Sequence, residues 1–314
     1  MVERDKDIYQ QFNQLYDEIH KRIVGNDEVI QEIVTCIFAG GHILLESVPG
    51  MGKTVLTNVI ADAMECEFKR IQCTPDLTAS DIVGKKTYDE VKKDYLLEKG
   101  PVFTNILLVD EINRAPPKTQ SALLEVMAEK TVTIGGTTHR VPDAFTVIAT
   151  ENPVEQAGTF PLPEAQMDRF IFKVVLQYLT SEQEISIMKS VHSKEPINKV
   201  FNPAEVLVIR KEIHENVFIA DSILEYIAKV VDATRTRREV MTGASPRALI
   251  AFQRAARAKA FLEGRDFVSP SDIKRLAFPI LRHRIILNPD SADFGITTDD
   301  VIAKILSRVE APLD

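Results

Sequence analysis

The chain has 314 residues, 45% hydrophobic and 27% charged, with a net charge of −8. That length allows a full core and two domains. The acidic balance argues against nucleic-acid binding by bulk charge, though it leaves room for a local basic patch. No apolar run approaches a membrane span, and the charged start MVERDKDIYQ lacks the apolar stretch of a signal peptide. Three cysteines, Cys36, Cys66 and Cys73, form no C-x-x-C pair. The expected setting is therefore a reducing cytoplasm, with the cysteines used for packing.

Residues 3–20 read as an amphipathic helix with Ile8, Phe12, Leu15 and Ile19 on one face. Ile23, Val24 and Gly25 make a short apolar hinge before a helix carrying Val29, Ile30, Ile33, Val34 and Ile37, which Gly40-Gly41 ends. The hinge lies just upstream of a phosphate-loop motif. It either covers an adenine ring or is an ordinary loop packed on the core.

The motif is ESVPGMGKT, Glu46 to Thr54. It is preceded by the apolar run Ile43, Leu44, Leu45 and followed by Leu56, Val59, Ile60 and Ala63 at helical spacing. A buried strand thus enters a glycine turn that opens a helix. The N–H groups of Gly50, Met51, Gly52 and Lys53 have no helical partner and can converge on an anion. Glycine permits positive φ and close approach of phosphate. Lys53 reaches β- and γ-phosphate oxygens, and the Thr54 hydroxyl ligates Mg²⁺. Pro49 and Val55 flank the loop and complete the nucleotide-binding set. Ser47 stands where the general G-x-x-x-x-G-K-[ST] pattern has its first glycine. Serine fits there if its φ stays negative.

EFKRIQ (67–72) reads as a second strand. Residues 74–103 are polar, punctuated by proline and glycine, and too long for a tight connection, so they read as a functional insertion able to form a hairpin or small helix. Ile106, Leu107, Leu108 and Val109 make a buried strand from which Asp110 and Glu111 emerge, at the end where parallel α/β sheets place ligands. Asp110 is suited to hold Mg²⁺ and Glu111 to polarise an attacking water. A helix over KTQSALLEVMAEK and a hairpin about Gly135-Gly136 follow. Residues 144–153 are a further buried strand ending in Thr150, Glu151 and Asn152. Asn152 either bonds the lytic water or a phosphate oxygen, or simply ends the strand before Pro153. After a short helix and a strand from Phe170 to Leu176, the pattern becomes helical. Starts are expected at Ser181 (a capping box with Glu184), Asn202-Pro203, Asp221-Ser222, Ser245-Pro246 and Ser269-Pro270. Arg169 is either a surface residue or an arginine reaching a neighbouring subunit's nucleotide. Arg247 lies in a first helical turn, where the dipole disfavours a cation unless it contacts phosphate or forms a salt bridge. Arg235, Arg237, Arg238, Arg254, Arg257 and Lys259 face solvent or a neighbour.

In order, SVPGMGKT, LLVDE, ATENP, the arginine after PEAQMD and the arginine in GASPRA resemble the AAA+ ATPases. HILLESVPGMGKT, LLVDEINRAPPKTQSALLEVMAE and FPLPEAQMDRF are similar to the MoxR family within them. The resemblance implies an α/β fold: a P-loop αβα sandwich with a parallel five-stranded sheet, order 5-1-4-3-2, plus a C-terminal helical lid. It implies a core over 1–178, with a helix-2 insert at about 74–103 and a pre-sensor-1 hairpin at about 131–141, and a lid over 179–314. Lys53, Thr54, Asp110 and Glu111 take the Walker roles, Asn152 sensor 1, Arg169 the arginine finger and Arg247 sensor 2, in cis or in trans. ATP/ADP and Mg²⁺ are the implied ligands. A homo-oligomeric ring, commonly hexameric, a partner bearing a von Willebrand factor A domain and a protein client are the implied associations. The activity expected is ATP hydrolysis coupled to chaperone-like remodelling. The rivals are a DNA-engaged motor, a chelatase-type motor subunit and a nucleotide-gated scaffold. The hairpin tip GGTTHR, with Arg140 and no stacking aromatic, weighs against the first.

Overall fold

The computed structural model describes residues 3–153, 158–190 and 195–312. Helices α1 (Glu3–His20) and α2 (Asp27–Phe38) precede β1 (Ile43–Glu46), α3 (Lys53–Ala63) and β2 (Phe68–Gln72). The long insertion forms both elements its apolar pieces allow, α4 (Ala79–Val83) and a hairpin of β3 (Gly84–Asp89) and β4 (Asp94–Lys99). Then come β5 (Ile106–Asp110), α5 (Pro117–Glu129), the hairpin β6 (Thr131–Ile134) and β7 (Thr137–Arg140), β8 (Thr146–Glu151), α6 (Glu164–Met167) and β9 (Phe172–Val175). The remainder is α7 (Ser181–Ser190), α8 (Pro203–Asn216), α9 (Asp221–Arg235), β10 (Val240–Thr242), α10 (Arg247–Leu262), α11 (Pro270–Leu281), β11 (Ile286–Leu287), α12 (Pro289–Asp293) and α13 (Thr298–Arg308).

The central sheet runs β2-β5-β8-β1-β9 with every pairing parallel. Counting its five strands along the chain, this is the expected order 5-1-4-3-2. The strands are apolar on both sides because helices cover both faces. One face, with Ile43, Leu45, Leu108, Ile148 and Phe172, packs on α1, α2 and α3 and is continuous with the core of the later helices. The other, with Leu44, Leu107, Val109 and Val147, packs on α5. Phe12 shows why α1 belongs to the fold: it is fully buried, with ring centroids of Phe38, Phe201 and Phe261 at 4.9, 5.1 and 6.3 Å.

The C-terminal helices dock at the N-terminal end of the sheet. Arg210 donates to Ile37 O at 2.9 Å, Arg254 to Ala39 O and Gly40 O, Arg282 to Lys173 O, and Arg284 to Phe170 O and Ile171 O. All but one of these carbonyls precede the first residues of β1 and β9. Arg254 is exposed. Arg257 and Lys259 were expected to face solvent or a neighbour. Instead Arg257 bonds Val217 O and Lys259 pairs with Glu263, because their alkyl stems are long enough to return to backbone and carboxylate partners beside α10.

Helix starts follow local chemistry. Asn202 accepts from the amides of Ala204 and Glu205, while Glu205 accepts from the Asn202 N–H, with Pro203 leading the helix. At α7 the reciprocal pair is Thr180 with Gln183, one residue before the expected Ser181–Glu184 box. Thr180 is itself a competent cap and sits on the chain's exit from the preceding loop. The Ser245-Pro246 start likewise shifts, with α10 opening at Arg247. The later region is not purely helical, since β10 and β11 pair antiparallel.

At the opposite, C-terminal end of the sheet, Lys173 on the edge strand β9 reaches Glu46 of β1 at 2.6 Å and Glu151 of β8 at 2.7 Å. Its side chain is 17% exposed, and the two carboxylates hold the ammonium pKa above the ordinary lysine value against burial.

Two substitutions test this packing. Phe12→Ala should lower stability by about 3–5 kcal/mol, read as a reduced chemical-denaturation midpoint. Lys173→Met leaves two carboxylates facing each other and should cost about 3–5 kcal/mol, with part of the midpoint recovered on adding Glu151→Gln.

Candidate active site

β1 ends in the glycine turn. Gly50 and Gly52 have φ of 85° and 73°, and a Cβ on either would meet no atom within 4 Å. These glycines are needed for backbone conformation rather than packing, and the turn borders open space. Gly52 caps α3 with no side chain, so the first amides of that helix keep their donors free for a ligand. Ser47 stays out of the left-handed region, as its place in the pattern requires. Its N–H donates to Glu151 O at 3.2 Å, tying the loop's root to β8. Pro49, Met51, Lys53 and Thr54 line the same turn, half-buried or exposed, and Val55 is 53% exposed at the start of α3.

Two neighbouring strands bring the carboxylates alongside. Asp110 is buried at the end of β5. Its Oδ2 accepts from Arg70 Nε at 2.6 Å and its Oδ1 from the Thr150 hydroxyl at 3.3 Å. Glu111 follows with φ 55°, a left-handed conformation rare outside glycine, and its N–H donates to Thr150 Oγ1 at 2.9 Å. Its carboxylate meets Gln72 Nε2 at 3.1 Å and Arg114 at 3.3 Å. Burial draws the Lys53 pKa below the ordinary lysine value, while Asp110 and then Glu111 pull it back up, so the three groups share one electrostatic neighbourhood. Asn152 is buried one residue beyond β8, beside Glu151.

Sequence reasoning did not find Arg70, Gln72 or Thr150. The available signal was the alternation along β2, where residues 70 and 72 share a side and Gln72 pairs with Asp110 in register.

A hard cation takes oxygen ligands. The Thr54 hydroxyl and the Asp110 carboxylate are such donors, and phosphate oxygens and water complete a site of this kind. The residues therefore fit Mg²⁺ with a nucleotide. The hinge at Ile23, Val24 and Gly25 is half-buried. Gly25 has φ 69°, and a Cβ there would lie 2.6 Å from Gln183 Nε2, so the hinge packs on the start of α7.

Arg169 and Arg247 are not brought to this turn. Arg169 precedes β9 at the N-terminal end of the sheet, and its guanidinium donates to Leu124 O at 3.0 Å. Arg247 is exposed and opens α10. The hydroxyl of Ser245, just before it, donates to Asp168 Oδ2 at 2.6 Å, next to Arg169. The two arginines thus start from adjoining turns. The glycine turn follows the other end of β1, four residues away, or about 13 Å.

Comparison with known proteins identifies relatives along nearly the whole chain. Residues 42–172 match the model of the ATPase family associated with various cellular activities, and residues 232–305 match the AAA lid domain. The chain is 40% identical over 304 residues to Chaperone MoxR1 of Mycobacterium tuberculosis, covering 94% of this chain and 81% of that one. It is 40% identical to the uncharacterised protein YeaC of Bacillus subtilis, over 98% and 97% of the two chains. It is 30% identical to the MoxR protein of Methylorubrum extorquens, over 94% and 93%. The crystal structure of a candidate ATPase from Cytophaga hutchinsonii superposes with a TM-score of 0.93 at 44% identity, covering 99% and 98%. The fold, with its helical lid, is thus shared along nearly the whole length, and the chain belongs to the MoxR family of AAA+ ATPases.

Proposed function

We propose that this chain hydrolyses ATP to ADP and phosphate in a Mg²⁺-dependent cycle and couples that cycle to the remodelling of protein clients. The observation that carries this reading is the open glycine turn at the end of β1, with Lys53 opening α3 next to Asp110 and Glu111. Amide donors and an ammonium border that turn, and the Asp110 and Glu111 carboxylates lie close enough to act on the ammonium.

In this reading the amides of Gly50 to Lys53 hold the phosphate chain, and Lys53 binds its terminal oxygens. Pro49, Met51 and Val55 bound the cradle, and Ile23, Val24 and Gly25 cover the adenine. Mg²⁺ held by Thr54 and Asp110 would supply charge compensation on the phosphate oxygens. Glu111 turns its carboxylate from Gln72 and Arg114 to a water, orients it and accepts its proton. Asn152 hydrogen-bonds that water or a phosphate oxygen without the repulsion a carboxylate would bring. The nucleotide-binding unit is residues 1–178 and the lid 179–314, with the 74–103 insert and the 131–141 hairpin projecting from the former.

Arg169 and Arg247 act on the nucleotide of an adjacent copy. Their common position at the far end of the sheet from their own glycine turn supports this. A site finished by a neighbour's arginines is incomplete in one chain, which favours a homo-oligomeric ring, commonly a hexamer in this family. A protein client is supported by the name of the mycobacterial chaperone. A partner with a von Willebrand factor A domain is inferred from the family alone.

A DNA-engaged motor is the second reading. One observation favours it: Tyr88 and Tyr95 stack edge-on at 5.3 Å, both half-exposed or more, on a hairpin bearing Lys85, Lys86, Lys92 and Lys93. Stimulation of ATPase by single-stranded DNA would favour the motor, and stimulation by unfolded protein alone the chaperone.

Lys53→Ala should abolish nucleotide binding in calorimetry; unchanged ADP affinity would remove the phosphate-loop assignment. Glu111→Gln should bind ATP normally yet turn it over about 10²–10⁴-fold more slowly, as measured by retained radiolabelled nucleotide. Wild-type turnover would take Glu111 out of the water-activating role.

A further inference from the structure

We propose that Asp168 is a positioning residue that locks Arg169 and Arg247 into one unit, so that both reach the neighbouring nucleotide together or not at all. This rests on the across-interface reading above.

The carboxylate of Asp168 lies between the two arginine-bearing turns. Oδ2 accepts from the Ser245 hydroxyl at 2.6 Å, and Oδ1 accepts from Arg284 Nε at 2.7 Å. Ser245 Oγ in turn accepts from the Arg247 N–H at 3.1 Å, so one hydroxyl bonds both the start of α10 and Asp168. Arg284 is 7% exposed and spreads its remaining donors over Phe170 O at 2.7 Å and Ile171 O at 3.1 Å. His283 Nε2 also meets Phe170 O, at 3.0 Å. The backbone on both sides of Arg169 is therefore held by groups that follow α11, and the start of α10 is held by the residue before Arg169.

Charge makes the arrangement directional. Burial disfavours the charge on Arg284 and Arg247 adds to that, while the Asp168 carboxylate opposes both without fully offsetting them. Three cationic side chains would otherwise repel one another across this junction. The lid itself does not depend on the contact, because Arg210, Arg254 and Arg282 anchor it elsewhere. Loss of Asp168 should cost stability by leaving the buried Arg284 without its carboxylate, while the other three anchors keep the lid seated and the two arginines are freed from each other. Misplacement by about 1 Å in such a group costs on the order of 100-fold in rate.

The test mixes two inactive kinds of copy. Arg169→Ala copies keep a complete nucleotide turn but give no finger. Lys53→Ala copies give a finger but bind no nucleotide. An equimolar mixture should regain ATPase activity. Adding Asp168→Asn to the Lys53→Ala copies should lower the regained kcat by roughly tenfold or more with little change in KM. Adding it to the Arg169→Ala copies should cost several times less. Ser245→Ala, which cuts only the α10 side of the link, should show the same asymmetry and carries the test if Asp168→Asn melts early. Equal losses in either copy, or none, would overturn the proposal. No regained activity in the parent mixture would instead remove the across-interface reading beneath it.

Discussion

An α-helix cannot satisfy the amides of its own first turn, and that deficit at the start of α3 is what this molecule is arranged around. Gly52 caps the helix without offering a side-chain acceptor, and Gly50 turns the chain so that open space lies before the free donors. A parallel sheet then delivers further groups to the same end, because every strand exits there. Asp110, Glu111 and Thr150 come from the two strands between β2 and β1. The Lys173 triad, on the other side of β1, fixes the registers of β1, β8 and β9 relative to one another where the loop begins.

The carboxylates at that end are already engaged. Asp110 is bonded by Arg70 and Thr150, and Glu111 by Gln72 and Arg114. A buried or half-buried carboxylate left unpaired would be costly. Pairing holds both in place, at the expense that a ligand must exchange with a resident partner. The strained left-handed backbone at Glu111 is held by the Thr150 hydroxyl on one side and the Arg114 N–H on the other.

Much of this was legible in the sequence because the decisive features are local. Strand, glycine turn and helix around Glu46–Thr54 occupy contiguous positions, and the buried strands at 106–109 and 146–149 are marked by unbroken apolar runs. Non-local partners were not legible. Nothing in EFKRIQ states that Arg70 will meet Asp110, forty residues away. The seat of the lid was equally hidden, since Arg254 looks like part of a solvated face until the Ala39 and Gly40 carbonyls are placed beside it. The caps at α7 and α10 slipped by one residue because Thr180 and Ser181, or Pro246 and Arg247, satisfy the same local rules.

The lid's anchoring has one further implication. Arg210, Arg254, Arg282 and Arg284 all bond main-chain oxygens of the sheet domain. Main-chain acceptors persist whatever side chain stands at Ile37, Ala39, Gly40, Phe170, Ile171 or Lys173. At these backbone bonds the seam is encoded by the lid alone, and the Asp168 carboxylate is a side-chain contribution to it from the sheet domain. Drift at those six positions leaves these acceptors in place, whereas exchange of any one arginine for lysine forfeits a planar, multiply donating head that a single ammonium does not replace.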